Sequence, residues 1–104
     1  AVAVDLLEGF GFQVRLAETG EAALAALAGT RFDLMLTDVV MPGGMSGVDL
    51  ARRAAREWPD MRIALTSGYV GDDVESVLAN APWPFLRKPY SADQLRRLVE
   101  GSPV

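Results

Sequence analysis

Apolar positions along this chain switch repeatedly between two spacings, and the switches mark out its elements. Residues 12–17, FQVRLA, alternate Phe12, Val14 and Leu16 with Gln13 and Arg15, the period of a half-buried strand. Residues 32–38, FDLMLTD, and 62–68, RIALTSG, are apolar runs instead, which predicts strands covered on both faces. A short strand is predicted over PFLRKP, 84–89, between prolines. The intervening segments take helical spacing. Val2, Leu6 and Leu7 with Ala3 make a short apolar face, ended by Gly9 or Gly11. TGEAALAALAG, 19–29, opens at Thr19 and closes at Gly29. SGVDLARRAAREW, 46–58, carries Val48, Ala51, Ala55 and Trp58 on one stripe and stops at Pro59. Residues 71–80, GDDVESVLAN, predict a short polar helix. SADQLRRLVE, 91–100, predicts a final helix with Leu95, Leu98 and Val99 inward and Ser91 as its N-cap.

Strand and helix alternate at spacings short enough for right-handed crossovers. The expectation is an α/β fold, one domain over 1–104, whose parallel sheet is covered on both faces. With 104 residues, half of them apolar, and no low-complexity tract, a single globular core is expected. The net charge of −4 argues against a nucleic-acid surface, which needs clustered Lys and Arg. Cysteine is absent, which excludes disulfides and thiolate metal sites and fits a cytoplasmic location. Histidine is absent too, so neither His-based catalysis nor a phosphohistidine donor resides in these residues. No membrane span or signal peptide is expected. A first residue of Ala, already inside a helical pattern, predicts a piece of a longer chain.

In an open parallel sheet, ligands bind outside the carboxyl ends of the strands. Three predicted strands deliver Thr37-Asp38, Thr66-Ser67-Gly68 and Arg87-Lys88-Pro89 to that edge. Asp38 alone could be a helix cap, a metal ligand or a nucleophile. Ser67 alone is a turn residue, and Lys88 alone a solvated cation. An acid, a hydroxyl and an ammonium at three successive strand ends make a stronger signal than any one of them.

Asp38 followed by VVMPGGMSG, LTSGY at 65–69 and FLRKPY at 85–90 resemble the receiver domains of two-component response regulators. The wording is most similar to receivers of hybrid sensor histidine kinases. The resemblance runs in order from partway through that family's first helix to its last. It implies a flavodoxin-like, doubly wound parallel sheet of strand order 2-1-3-4-5, with the first strand missing from this chain. It also implies that Asp38 is the phosphoacceptor, with Ser67 and Lys88 neutralising the phosphoryl oxygens and Gly68 leaving room for them. Ser67 is favoured over Thr66 because it directly precedes Gly68. Phe85, three before Lys88, takes the place of the family's aromatic switch, although a core phenylalanine explains it nearly as well. The Lys88-Pro89 bond is a candidate for the cis form. Val40 and Tyr69, two beyond Asp38 and Ser67, are apolar or bulky where a polar group could guide water. If both overhang the acyl phosphate, its hydrolysis is slow.

The family's acidic pair, which holds Mg²⁺ at the end of its first strand, has no counterpart here. Asp5 and Glu8 belong to the solvated face of the opening helix. Asp38 and the backbone carbonyl of Val40 are the remaining donors, and they predict weak Mg²⁺ binding. Without that first strand the sheet is expected to carry a gap. It would close by direct pairing, by exchange of elements with a neighbour in a homodimer, or by the rest of a longer chain.

The leading expectation is a phosphoacceptor in a phosphorelay that promotes its own phosphotransfer and dephosphorylation and is not a conventional enzyme. Its partners would be a histidine kinase or a histidine phosphotransfer protein, with no nucleic acid and no direct membrane contact. The rival is a pseudo-receiver acting as a constitutive protein-interaction module. A flavodoxin-like cofactor binder or small hydrolase is a weaker third, since the chain lacks a P-loop and a dinucleotide glycine signature, and GFGF at 9–12 is a helix-ending turn.

Overall fold

A computed structural model of the chain describes residues 2–40, 43–68 and 82–100. Its elements are α1 (Val2–Gly9), α2 (Gly20–Gly29), β1 (Leu34–Asp38), α3 (Gly47–Glu57), β2 (Arg62–Ser67), β3 (Phe85–Arg87) and α4 (Ala92–Glu100). The helix expected over 71–80 lies outside the described residues. None of the described helices is long and apolar enough to cross a membrane.

The strands form one parallel sheet in the order β1-β2-β3. Leu34 to Asp38 lie opposite Arg62 to Thr66, and Leu65 to Ser67 lie opposite Phe85 to Arg87. Side chains alternate across a strand, so the apolar runs feed two separate layers. On one face Met35, Ile63 and Leu65 pack with Leu27 of α2 and with Val48, Ala51 and Ala54 of α3. On the other, Leu34, Leu36 and Leu86 pack with Leu7 of α1 and with Leu95 and Val99 of α4. The sheet is thus covered on both sides, as a run apolar on both faces requires. The inward stripe of α3 also takes in Leu50 and Ala54, which the stripe expected through Val48, Ala51, Ala55 and Trp58 omits. Ala54 lies three and four residues from Ala51 and Leu50, the spacing that shares a helix face.

Local chemistry sets the helix ends. The Gly11 N–H donates to the Glu8 carbonyl at 3.0 Å and the Phe12 N–H to the Leu7 carbonyl at 3.1 Å. With Gly11 at φ 98°, this is a Schellman ending for α1. The Thr19 hydroxyl accepts from the Ala22 N–H, and the Ser46 hydroxyl from the Asp49 N–H, each at 3.0 Å. Ser91 and Gln94 exchange side chain-to-backbone bonds of 3.1 and 2.8 Å, a capping box that starts α4. The far end of α4 is tied to the sheet by Arg62, which donates to the Leu98 carbonyl at 3.3 Å. The Arg96 guanidinium stands 5.5 Å over the Phe10 ring and links α4 to the end of α1.

One expected element does not form. Residues 12–17 have strand-like alternation but join no ladder among the described residues. Strand identity needs a neighbour to pair with as well as an apolar period. Only Val14 of the three alternating positions packs against the core, while Leu16 is 63% exposed. Among the described residues the sheet is therefore three-stranded, β1-β2-β3.

Candidate functional site

The carboxyl ends of β1, β2 and β3 converge through backbone bonds before any side chain is considered. The Val39 N–H donates to the Thr66 carbonyl at 2.8 Å, which carries the β1–β2 ladder one residue past Asp38. The Lys88 N–H donates to the Ser67 carbonyl at 2.8 Å and does the same for β2–β3. Beyond Val39 the loop contains Gly43 and Gly44, both at positive φ, 93° and 92°. It returns so that the Gly47 N–H donates to the Val39 carbonyl at 2.7 Å. The start of α3 is thereby pressed onto the end of β1. A Cβ on Gly47 would lie 1.6 Å from the Asp38 carbonyl oxygen, so this contact exists only with glycine.

On this frame, Lys88 Nζ lies 2.9 Å from Asp38 Oδ1, with both side chains a little under half exposed. The Thr66 hydroxyl donates to the same Oδ1. Asp38 and Thr66 are register partners, and paired residues of neighbouring strands point to one face. Thr66 is buried, at 3% exposure. Ser67 is the last residue of β2 and is also buried. Gly68 follows against the Lys88 stem, where an added Cβ would lie 3.6 Å from Lys88 Cδ. The Lys88-Pro89 bond is cis.

Asp38, Ser67 and Lys88 therefore share one edge. Thr66, passed over in favour of Ser67 on sequence grounds, makes the hydroxyl contact with the carboxylate. Its signal was present in the strand register, which a single sequence does not display. Phe85 opens β3 at 37% exposure, and Val40 stands 66% exposed just beyond Asp38. Tyr69 lies outside the described residues.

The donor set at this edge does not fit Mg²⁺. Among the described residues no three acidic side chains gather as a cation site. One Asp38 oxygen is engaged by an ammonium and a hydroxyl, both of which oppose a cation at that atom. Waters and phosphate oxygens complete the Mg²⁺ octahedron around one or two free carboxylates, and the one carboxylate at this edge is already engaged.

Residues 1–100 match the family model described as the response regulator receiver domain. The chain is 35% identical over 100 residues to the sensor kinase CckA of Brucella abortus, covering 93% of this chain and 10% of that protein. It is 34% identical over 100 residues to the transcriptional regulatory protein FixJ of Bradyrhizobium diazoefficiens, covering 93% and 47%. It is 38% identical over 101 residues to the sensor protein GacS of Pseudomonas syringae, covering 90% and 11%. The chain thus spans between 10% and 47% of the length of these relatives. Among solved structures, a CheY-like response regulator receiver domain protein from Methanospirillum hungatei superposes with a TM-score of 0.81 at 27% identity, covering 96% of this chain and 80% of that one. The receiver domain of NtrX from Brucella abortus superposes with a TM-score of 0.84, covering 96% and 85%; at 24% identity that likeness concerns the fold alone.

Proposed function

We propose that this chain, which belongs to the response regulator receiver domain family, takes a phosphoryl group from a phosphohistidine onto Asp38 and thereby switches a protein-contact surface. Receiver domains are phosphoacceptors in two-component signalling and are not conventional enzymes. The observation that carries the reading for this chain is the Lys88 ammonium 2.9 Å from the Asp38 carboxylate at the carboxyl edge of a parallel sheet. In the transfer, an Asp38 oxygen forms a bond to phosphorus as the phosphorus–nitrogen bond of the donor breaks. The bonding pair leaves with the imidazole. A phosphoryl group brings about −1.5 to −2 charges at neutral pH. Lys88 opposes that charge with a compact ammonium, and Ser67 supplies a hydroxyl to a second phosphoryl oxygen.

Residues 1–104 hold no histidine, so the donor is a phosphohistidine outside them, on a histidine kinase domain or a histidine phosphotransfer protein. Such donors act in the cytoplasm, and the chain's balance of charge suits a protein partner rather than nucleic acid. The switched surface lies around Phe85, which a hydroxyl drawn towards the phosphate would let turn inward. If Val40 and Tyr69 overhang the acyl phosphate, they keep water from it and lengthen its life. Receiver domains generally bind Mg²⁺ at this position, and the donors among the described residues do not by themselves fit it. The unit comprises residues 1–104.

Treatment of the intact protein with acetyl phosphate and Mg²⁺ tests the reading. One phosphoryl mass is expected on the wild type and none on Asp38→Asn. No gain on either protein would instead support a constitutive interaction module.

A further inference from the structure

We infer that Thr66 is a positioning residue for the phosphoacceptor: its hydroxyl holds Asp38 Oδ1, directs attack through Oδ2, and shortens the life of the phosphorylated state. The inference rests on the reading of Asp38 as the phosphoacceptor.

Three observations support it. Thr66 stands opposite Asp38 in the β1–β2 register, so the backbone ladder fixes the distance between their Cα atoms. Its hydroxyl donates to Asp38 Oδ1, and it does so from a buried position, where water competes little for the donor. The Lys88 ammonium lies on the same oxygen, at 2.9 Å. Two donors on Oδ1 fix the carboxylate plane and turn Oδ2 towards the incoming phosphorus. That is orientation of a nucleophile before reaction, with no further ordering at the moment of transfer.

The same bond acts in the reverse direction. When the acyl phosphate hydrolyses, water adds to phosphorus and the phosphorus–Oδ2 bond breaks. The bonding pair returns to the Asp38 carboxylate, and the protons of the water end on inorganic phosphate and solvent. The leaving group passes from a neutral carbonyl oxygen at Oδ1 to a shared negative charge. A hydroxyl at Oδ1 bonds the charged form more strongly than the neutral one. Thr66 therefore stabilises the departing carboxylate more than it stabilises the ester. Its neighbour Ser67 has a different task, at the phosphoryl oxygens.

The intact protein is labelled with acetyl phosphate, the donor is removed, and loss of the phosphoryl group is followed for wild type, Thr66→Val and Thr66→Ser. Valine keeps the shape and removes the donor, whereas serine keeps the donor. The half-life of the valine variant is expected to lengthen by about three- to tenfold, the difference between a charged and a neutral acceptor. The serine variant should stay within about twofold of wild type, since it retains that bond. Equal half-lives in all three proteins, a shorter one in the valine variant, or failure of serine to restore the rate would overturn the role of Thr66 while leaving Asp38 as acceptor. Failure of the wild type itself to take the label overturns both. Should the valine variant not fold, Thr66→Ala answers the same question.

Discussion

Gly47→Ala is the substitution that tests most directly how the edge of the sheet is built. In helices alanine is ordinarily the better residue, by about 0.8–1 kcal/mol. Here its Cβ would fall 1.6 Å from the Asp38 carbonyl oxygen, 2.6 Å from the Asp38 carbonyl carbon and 3.0 Å from Val39 Cα. All three are backbone atoms within or next to the ladder, so no side chain can swing aside. Either α3 withdraws from β1 or the end of β1 moves. Withdrawal breaks the 2.7 Å bond from the Gly47 N–H to the Val39 carbonyl, a loss of about 0.5–1.5 kcal/mol. It also shifts Val48, Leu50, Ala51 and Ala54, all buried, at a repacking cost of about 1–3 kcal/mol. After subtracting the propensity gain, a net destabilisation of about 1–3 kcal/mol remains. For a domain of this size that lowers the unfolding midpoint by roughly 5–20 °C. Thermal unfolding followed by circular dichroism would show it. A variant as stable as wild type, or more stable, would mean that propensity prevails and that α3 does not approach β1 this closely.

Two further substitutions separate the core from the site. Leu65→Ala, at a fully buried residue in the middle strand, should cost about 2–5 kcal/mol in denaturant unfolding, and a loss below about 1 kcal/mol would contradict the packing described. Lys88→Gln should change stability by less than about 1 kcal/mol, because its partly exposed ion pair with Asp38 is worth little to the fold. The same variant should take label from acetyl phosphate much more slowly than wild type, and an unchanged rate would remove Lys88 from the proposed chemistry.

Much of this arrangement was legible in the residues, and what was missed has physical reasons. The runs at 32–38 and 62–68 announced strands covered on both sides because they are apolar at odd and even positions alike, and in β1 Met35 does feed one layer while Leu34 and Leu36 feed the other. The cap at Ser91 was legible because a hydroxyl ahead of a helical run has a local partner three residues on, and Thr19 and Ser46 prove to cap their helices in the same way. Segment 12–17 failed because alternation records only burial, whereas a strand also needs another backbone alongside it. Thr66 was missed for a related reason. Which of two adjacent hydroxyls faces Asp38 depends on the register of β2 against β1, a non-local quantity. Gly47 reads in the sequence as one more residue at the start of a helical run, yet its role is to let two backbones touch.

The same contrast explains how this fold can vary its chemistry without losing its shape. Asp38 and Lys88 are brought together by three backbone bonds: Val39 to Thr66, Lys88 to Ser67 and Gly47 to Val39. None of these involves a functional side chain. Asp38 and Lys88 are partly exposed and their ion pair contributes little to folding, so they are free to change. The residues that hold the edge in place are either glycine at a close approach or buried in the layers behind it. It follows that substitutions at Asp38, Lys88 and Val40 should alter rates at nearly constant stability. Substitutions at Gly47 and Leu65 should lower stability and impair the site together, because displacing a strand end moves the atoms it carries. Thr66 stands between the two groups, buried like a core residue yet bonded to the reacting carboxylate. That double position is why the serine variant, which preserves the bond in a smaller side chain, is the informative partner to valine there.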